Sequence, residues 1–347
     1  MKFLHIGGDS RTGGSLLARL FDGCKDILSF PFEEEYFKNR NGALIDFEKY
    51  HNSLLIDDLR AAEVVAKIIK FGEGTLTGKQ HYSTTLDNFN VDRFMNGLSD
   101  AMRNTNNIHE AVHKAYFEEL HSEDSFVFSD SKLIVNHCSR TFIAELDEFY
   151  DKFEDGYFIQ TVRSPLDTIA SMKSYSFART DTPTPVPPRF IDMAIQRWLI
   201  SFFTGLQNRN KYSKYKILFY ERLVESPDAI KEVCKFIAIP FDEEMLIPSY
   251  RGTPWHGNSS FGKRASELIR VNKDKYKQVL TEMEISKIQG TLSTLWADAA
   301  GLTTDLETQC VEKLNSINSR IDPTNTKELR EHYNTLFEEM REIQKGG

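Results

Sequence analysis

Residues 8–15 read Gly-Asp-Ser-Arg-Thr-Gly-Gly-Ser, and these residue types suit one task, the holding of an anion. Gly13 and Gly14 let backbone N–H groups approach an oxyanion closely, Ser15 adds a hydroxyl donor, and Arg11 offers a planar fork of N–H donors. The length and glycine placement are those of a phosphate cradle, but Gly14 stands where a nucleotide triphosphatase loop carries its lysine. The cation has moved inside the loop, to Arg11. No point charge is left at the usual place to brace a β/γ-phosphate together with Mg²⁺. Taken alone, a tight strand-to-helix turn that binds nothing would use the same glycines.

A second cluster spans Gly156–Lys173. A β-rich run ends at Arg163, Ser164 suits a helix N-cap, Pro165 suits the first helical position, and Asp167 completes a capping box. Arg163 and Ser171 therefore sit beside a helix N-terminus, where a phosphate monoester is stabilised. This too has a plain reading, a well-capped helix. The two motifs lie about 150 residues apart in one chain.

Positioning them requires an α/β scaffold. The first strand starts at residue 2 or 3, and the amphipathic helix after the loop can be stopped by Gly23. Ile27–Phe32 reads as an extended segment leading into Glu33, Glu34, Glu35, Tyr36 and Phe37. From about residue 45 to 124 the pattern is helical, with Leu59, Ala62, Val65, Ala66 and Ile69 on one face and Gly72 as a stop. Lying between core elements, this block is expected to form a cap on the acceptor side. Ser125–Lys132 reads as a strand ending in polar residues at a ligand-binding edge, with Lys132 as a candidate substrate contact and His137 on the helix that follows.

Asp181–Pro188 is a proline-rich surface loop near the acceptor entrance, and Ile195–Phe203 is a core helix in which Trp198 packs. Lys216–Pro227 gives a further strand and turn, then a helix through Phe236. From Ile285 onward the chain is helical and charged. Lys327–Lys345 reads as a terminal helix that packs on the domain or on another subunit, so a homo-oligomer is one expectation.

The chain has 347 residues and a formal net charge of −8, which argues against nucleic acid as a partner and makes any anion site a local cluster. Its four cysteines, Cys24, Cys138, Cys234 and Cys310, are widely spaced and suggest neither a disulfide framework nor a zinc site. No metal is expected. No apolar run approaches the roughly 20 residues of a membrane span. A strand starting at residue 2 or 3 leaves no room for a signal peptide, so the expected location is cytoplasmic.

The run Arg11-Thr12-Gly13-Gly14-Ser15-Leu16-Leu17 resembles the 5′-phosphosulfate loop of sulfotransferases that use PAPS (3′-phosphoadenosine 5′-phosphosulfate). Arg163 and, eight residues on, Ser171 resemble that family's 3′-phosphate motif. Tyr220-Glu-Arg-Leu223 resembles its Tyr-Glu-Asp-Leu segment, with Arg222 where Asp is usual, and Trp255–Arg264 is similar to the late loop that closes over the nucleotide. Some members carry Lys-Thr-Pro or Lys-x-His near Lys132, and this chain departs from both.

The resemblance implies a three-layer α/β/α fold with a central, mostly parallel sheet, P-loop-like and with a helical insertion. Residues 1–300 would form that domain, 45–124 the insertion and 301–347 a C-terminal helical extension. It further implies PAPS as donor, PAP (3′,5′-adenosine bisphosphate) as product, and a small-molecule, glycan or lipid hydroxyl as acceptor. Arg11, Thr12, Gly13, Gly14, Ser15 and Leu16 would line the phosphosulfate end, with Arg163, Ser171, Lys263 and Arg264 at the 3′-phosphate and Tyr220 on the adenine. A glutamate past the loop would be the general base, Glu34 fitting best by its spacing before Phe37, with Glu33 next and Glu35 not excluded. The alternatives are a P-loop small-molecule kinase and a catalytically inactive nucleotide-binding scaffold.

Overall fold

A computed structural model describes residues 1–31, 43–47, 52–56, 59–72, 89–122, 127–138, 146–176, 186–250, 253–255, 274–299, 305–318 and 320–346. Five parallel strands make the central sheet: β1 (Lys2–Gly8), β2 (Ile27–Ser29), β5 (Leu133–His137), β6 (Gly156–Val162) and β7 (Tyr215–Phe219), in the order β2-β5-β1-β6-β7. Two short antiparallel pairs lie outside it, β3 (Ala43–Phe47) with β4 (Asn52–Ile56), and β8 (Ser249–Tyr250) with β9 (Thr253–Pro254). The β3–β4 hairpin opens the stretch for which the sequence predicts helix.

Side chains alternate across the sheet as the pleat requires. Leu4, Ile6, Leu133, Val135, Ile159 and Leu218 face one apolar cluster, shared with α1 (Gly14–Leu20) and α9 (Pro227–Phe236). Phe3, Ile134, Phe158, Val162, Ile217 and Phe219 face the other. That second cluster takes in α2 (Leu59–Gly72), α3 (Val91–Asn104), α4 (Ile108–Leu120), α6 (Pro165–Ser176) and α7 (Pro188–Lys211). The helices of the insertion thus form part of a layer over the sheet. The result is a three-layer α/β/α fold.

The remaining helices complete this arrangement. A short α5 (Leu146–Lys152) precedes β6, and α8 (Tyr220–Glu225) follows β7 directly. At the C-terminal end, α10 (Glu282–Ala299), α11 (Leu306–Ile317) and α12 (Thr326–Gly346) stack on the α7 side, and Leu329, Tyr333, Leu336 and Met340 of α12 are buried in the same chain's core.

The expected strand over 125–132 is corrected. Residues 128–130 form a 3₁₀ turn and the strand is Leu133–His137, so His137 ends a core strand instead of sitting on a helix. The physical reason is that Leu133, Ile134 and Val135 are buried on both faces of a parallel sheet, which calls for an unbroken apolar run.

Register sets the functional edge. Ile6 pairs with His137 and Gly8 with Thr161, so β5, β1 and β6 end together. The chain leaves β1 toward one side of the sheet and later returns to the other side at β6. Such a reversal opens a crevice at the carboxyl ends of the strands, and residues 9–13 lie there.

Candidate functional site

The loop after β1 is pinned against β6 before it turns. Gly8 has φ +138°, and a Cβ on it would stand 2.6 Å from the Thr161 carbonyl oxygen, so only glycine fits. The Thr12 hydroxyl donates to the Asp9 carbonyl at 2.7 Å and lies 2.9 Å from Thr161 Oγ1, while Thr161 Oγ1 donates to the Gly7 carbonyl at 3.2 Å. Thr12 is buried, so its side chain closes the loop, and only its main chain is left for a ligand.

Arg11 itself sits at φ +72°, an unfavourable conformation for a residue with a Cβ. That geometry sends its guanidinium to α6, where Nε donates to Ser171 Oγ at 2.9 Å, and across the exposed Tyr175 ring, 5.3 Å from its centroid. Burial lowers the Arg11 pKa from its ordinary value, and the nearby Arg163 guanidinium pushes the same way. Two guanidinium groups this close repel each other, and an anion between them would relieve the repulsion.

Arg163, the first residue after β6, stacks over Tyr220 at 4.5 Å from the ring centroid. Its carbonyl accepts from Trp198 Nε1 at 2.8 Å, so the packing tryptophan of α7 also fixes the strand end. Arg163 Nε is buried with no hydrogen-bond partner among the described residues; Asp167 Oδ1 lies 3.9 Å from its Nη2, and the Glu221 carboxylate is also within electrostatic reach. Tyr220 closes the arrangement from the first position of α8. A Cβ on Gly13, where φ is +105°, would come 2.4 Å from Tyr220 Cδ2, so the ring lies directly on the glycine. Arg11, Gly13, Arg163, Ser171 and Tyr220, from three separate strand ends, therefore share one surface.

The expected capping box is modified. Ser164 Oγ accepts from Asp167 N–H at 3.5 Å, but the Ser164 N–H goes to Glu221 Oε1 at 2.9 Å, so α8 supplies the reciprocal half. Burial raises the pKa of both Glu221 and Asp167, and in each case Arg163 partly offsets it. Gly14, Ser15 and Leu16 open α1 beside this surface. Gly14 has room for a side chain, with a Cβ 3.6 Å from Ile6 Cγ2 and Thr161 Oγ1, and Leu16 packs against the α1-side cluster.

Lys132 is not part of it. It precedes β5 at the opposite end of the strands, where its Nζ donates to Asp26 at 2.8 Å, away from the strand end at which the substrate contact is expected. With the strand displaced toward the C-terminus, its ligand-side end is His137. Glu33, Glu34, Glu35, Lys263 and Arg264 lie outside the described residues. Sequence reading missed Glu221 and Tyr175. Glu221 stands within the Tyr220–Leu223 segment, and Tyr175 is one helical turn past Ser171, which was the available signal.

Among the described residues, no helix is long and apolar enough to cross a membrane. No curated protein matches the chain in sequence. Among solved structures it is similar to the sulfotransferase domain from the Synechococcus PCC 7002 olefin synthase, at 15% identity over 84% of this chain and 94% of that one, with a TM-score of 0.42. The sulfotransferase domain from the curacin biosynthetic pathway gives 15% identity over 84% and 96%, with a TM-score of 0.39. A sulfotransferase from Mycobacterium tuberculosis H37Rv gives 14% over 70% and 69%, with a TM-score of 0.37. A sequence model described as the Sulfotransferase family matches residues 4–243, a span that holds Arg11, Arg163, Ser171 and Tyr220, and the chain belongs to that family.

Proposed function

We propose that the chain transfers a sulfuryl group from PAPS to the hydroxyl of a small-molecule, glycan or lipid acceptor. The observation that carries this reading is the meeting of Arg11 and Ser171 at 2.9 Å beside Arg163, whose Nε is buried and unpaired among the described residues. Those groups fit a donor with two anionic ends. When bound, PAPS supplies the sulfuryl group on a bisphosphate leaving group.

Arg11 and the main chain of residues 12–15 would hold the phosphosulfate end and stabilise charge growing on the leaving phosphate. Arg163 and Ser171 would anchor the 3′-phosphate, joined by Lys263 and Arg264. Tyr220 would give the adenine a flat surface, and Glu34, or its neighbours Glu33 and Glu35, would take the acceptor proton. The scheme asks nothing of a metal. The four cysteines are free and buried, which supports a reducing, cytoplasmic setting. Helices α2–α4 would bound the acceptor pocket, and the kinase and scaffold alternatives have no observation in their favour.

Calorimetric titration with PAP, against ATP with Mg²⁺, tests the donor site. Micromolar PAP binding is expected for the wild type, weaker by about a hundredfold in Arg163→Ala, the loss of one or two charge-assisted hydrogen bonds. Preference for ATP with Mg²⁺ would overturn the reading. With PAP binding established, Glu34→Gln should lose about a hundredfold or more in kcat and keep its PAP affinity, whereas a scaffold would show no turnover to lose.

A further inference from the structure

Asp9 lies inside the anion loop, yet its carboxylate points away from the anion surface into the core, where the residue is 3% exposed. Its Oδ1 accepts from the Ser10 N–H and from Tyr333 Oη, both at 2.6 Å, and from the Arg197 guanidinium of α7. Arg197 also donates to Tyr333 Oη at 3.0 Å and to Met340 Sδ at 3.6 Å, and its guanidinium lies 4.9 Å from the Phe337 ring centroid. Tyr333, Phe337 and Met340 recur at helical spacing on one face of α12, so that face wraps the arginine.

A negative charge under an anion-binding loop would oppose its function unless neutralised, and a buried carboxylate is costly unless paired. Arg197 does the neutralising. Burial would lower its pKa, but the Asp9 carboxylate and Tyr333 outweigh that and hold it above the ordinary value. Tyr333 is held well up, by burial first and then by Asp9, and so stays a donor. The pairing is local to the loop at only one end. Residues 197 and 333 lie 188 and 324 positions away from Asp9.

We infer that Tyr333 of α12, outside the family-matched span 4–243, is a positioning residue for the donor loop, acting through Asp9 and Arg197 to hold Arg11 in its left-handed conformation. The C-terminal helix is then a working part of the donor site. A second buried contact runs the same way: Lys173 of α6, two residues from Ser171, pairs with Glu284 of α10 at 2.8 Å. The 3′-phosphate helix is thus braced by the C-terminal helices as well.

The inference rests on the PAPS reading only for its affinity readout, so the test has two. Tyr333→Phe removes one hydroxyl and keeps the ring. Leu336→Ala, in the same helix but without a hydrogen bond to the loop, controls for general loosening of α12. Hydrogen–deuterium exchange of residues 9–16 is followed in both variants and the wild type, with calorimetric PAP affinity alongside. Faster loop exchange and about tenfold weaker PAP binding in Tyr333→Phe, with Leu336→Ala within twofold of the wild type on both readouts despite a lower Tm, is the expected result. Unchanged loop exchange in Tyr333→Phe, or an equal rise in both variants, would overturn it. Should the wild type itself fail to bind PAP, the donor reading falls, and the exchange comparison alone decides the role of Tyr333. If Leu336→Ala does not fold, Leu336→Met takes its place as the control.

Discussion

Arg11 Nε donates to Ser171 Oγ at 2.9 Å, joining residues 160 apart in the chain. The bond ties the loop after β1 to the helix after β6, and so links the two anion motifs into one surface. It also fixes the orientation of the guanidinium through one of its N–H groups.

Ser171→Ala should therefore act twice, by releasing Arg11 and by removing a hydroxyl from the proposed 3′-phosphate site. The hydroxyl is buried, and a hydrogen bond to a charged group contributes about 1.5–3 kcal/mol, so PAP affinity should fall by roughly ten- to a hundredfold and Tm by a few degrees. Calorimetry and a thermal melt check both halves. An affinity equal to that of the wild type would mean that Arg11 keeps its place without the serine and that Ser171 does not hold the 3′-phosphate.

The two loop glycines should respond in opposite ways. Gly13→Ala places a methyl group 2.4 Å from Tyr220 Cδ2 at φ +105°, so strain of about 1–3 kcal/mol and a displaced Tyr220 ring should lower both Tm and PAP affinity. Gly14→Ala places it 3.6 Å from its nearest neighbours at the first position of α1, where alanine is better than glycine by up to about 1 kcal/mol. Its Tm should equal or exceed that of the wild type. Paired melts of the two variants give the answer.

Glu221 gives a pH-dependent prediction. Burial raises its pKa above the ordinary value, so in the folded state the carboxylate carries a penalty that the unfolded chain does not. That penalty is absent below the ordinary carboxylate range, where both states are protonated, and fully present above the raised folded value. Glu221→Gln removes the charge and still offers an oxygen to the Ser164 N–H. Its Tm should exceed that of the wild type by about 1–2 °C at pH 8, a gain that closes as the melt is repeated down to pH 4. A gain that grows on acidification would contradict the assignment.

Much of this was readable from local pattern. The strand, glycine loop and helix at residues 2–20, the strand end at Arg163 with Pro165 opening a helix, and the Tyr220 segment all appear where the residue types put them. Each is a short-range device, in which turn chemistry or capping acts within a few residues, so the sequence window contains its own cause. The strand at 133–137 was missed because its apolar run reflects burial on both faces, a property of neighbours that β5 meets only in the sheet. As a result Lys132 precedes the strand instead of ending it, and His137 ends the strand instead of sitting on a helix.

The rest depended on contacts between distant segments. Nothing near Asp9 announces a partner 324 residues away, and Arg197 within an apolar helix looks like an isolated charge until Asp9 and Tyr333 surround it. Periodicity and glycine placement state what each segment can become. Which arginine meets which serine, and which carboxylate is neutralised under the loop, follows from strand order and from the packing of α7 and α12, because a buried charge is stable only beside the partner that the whole fold delivers.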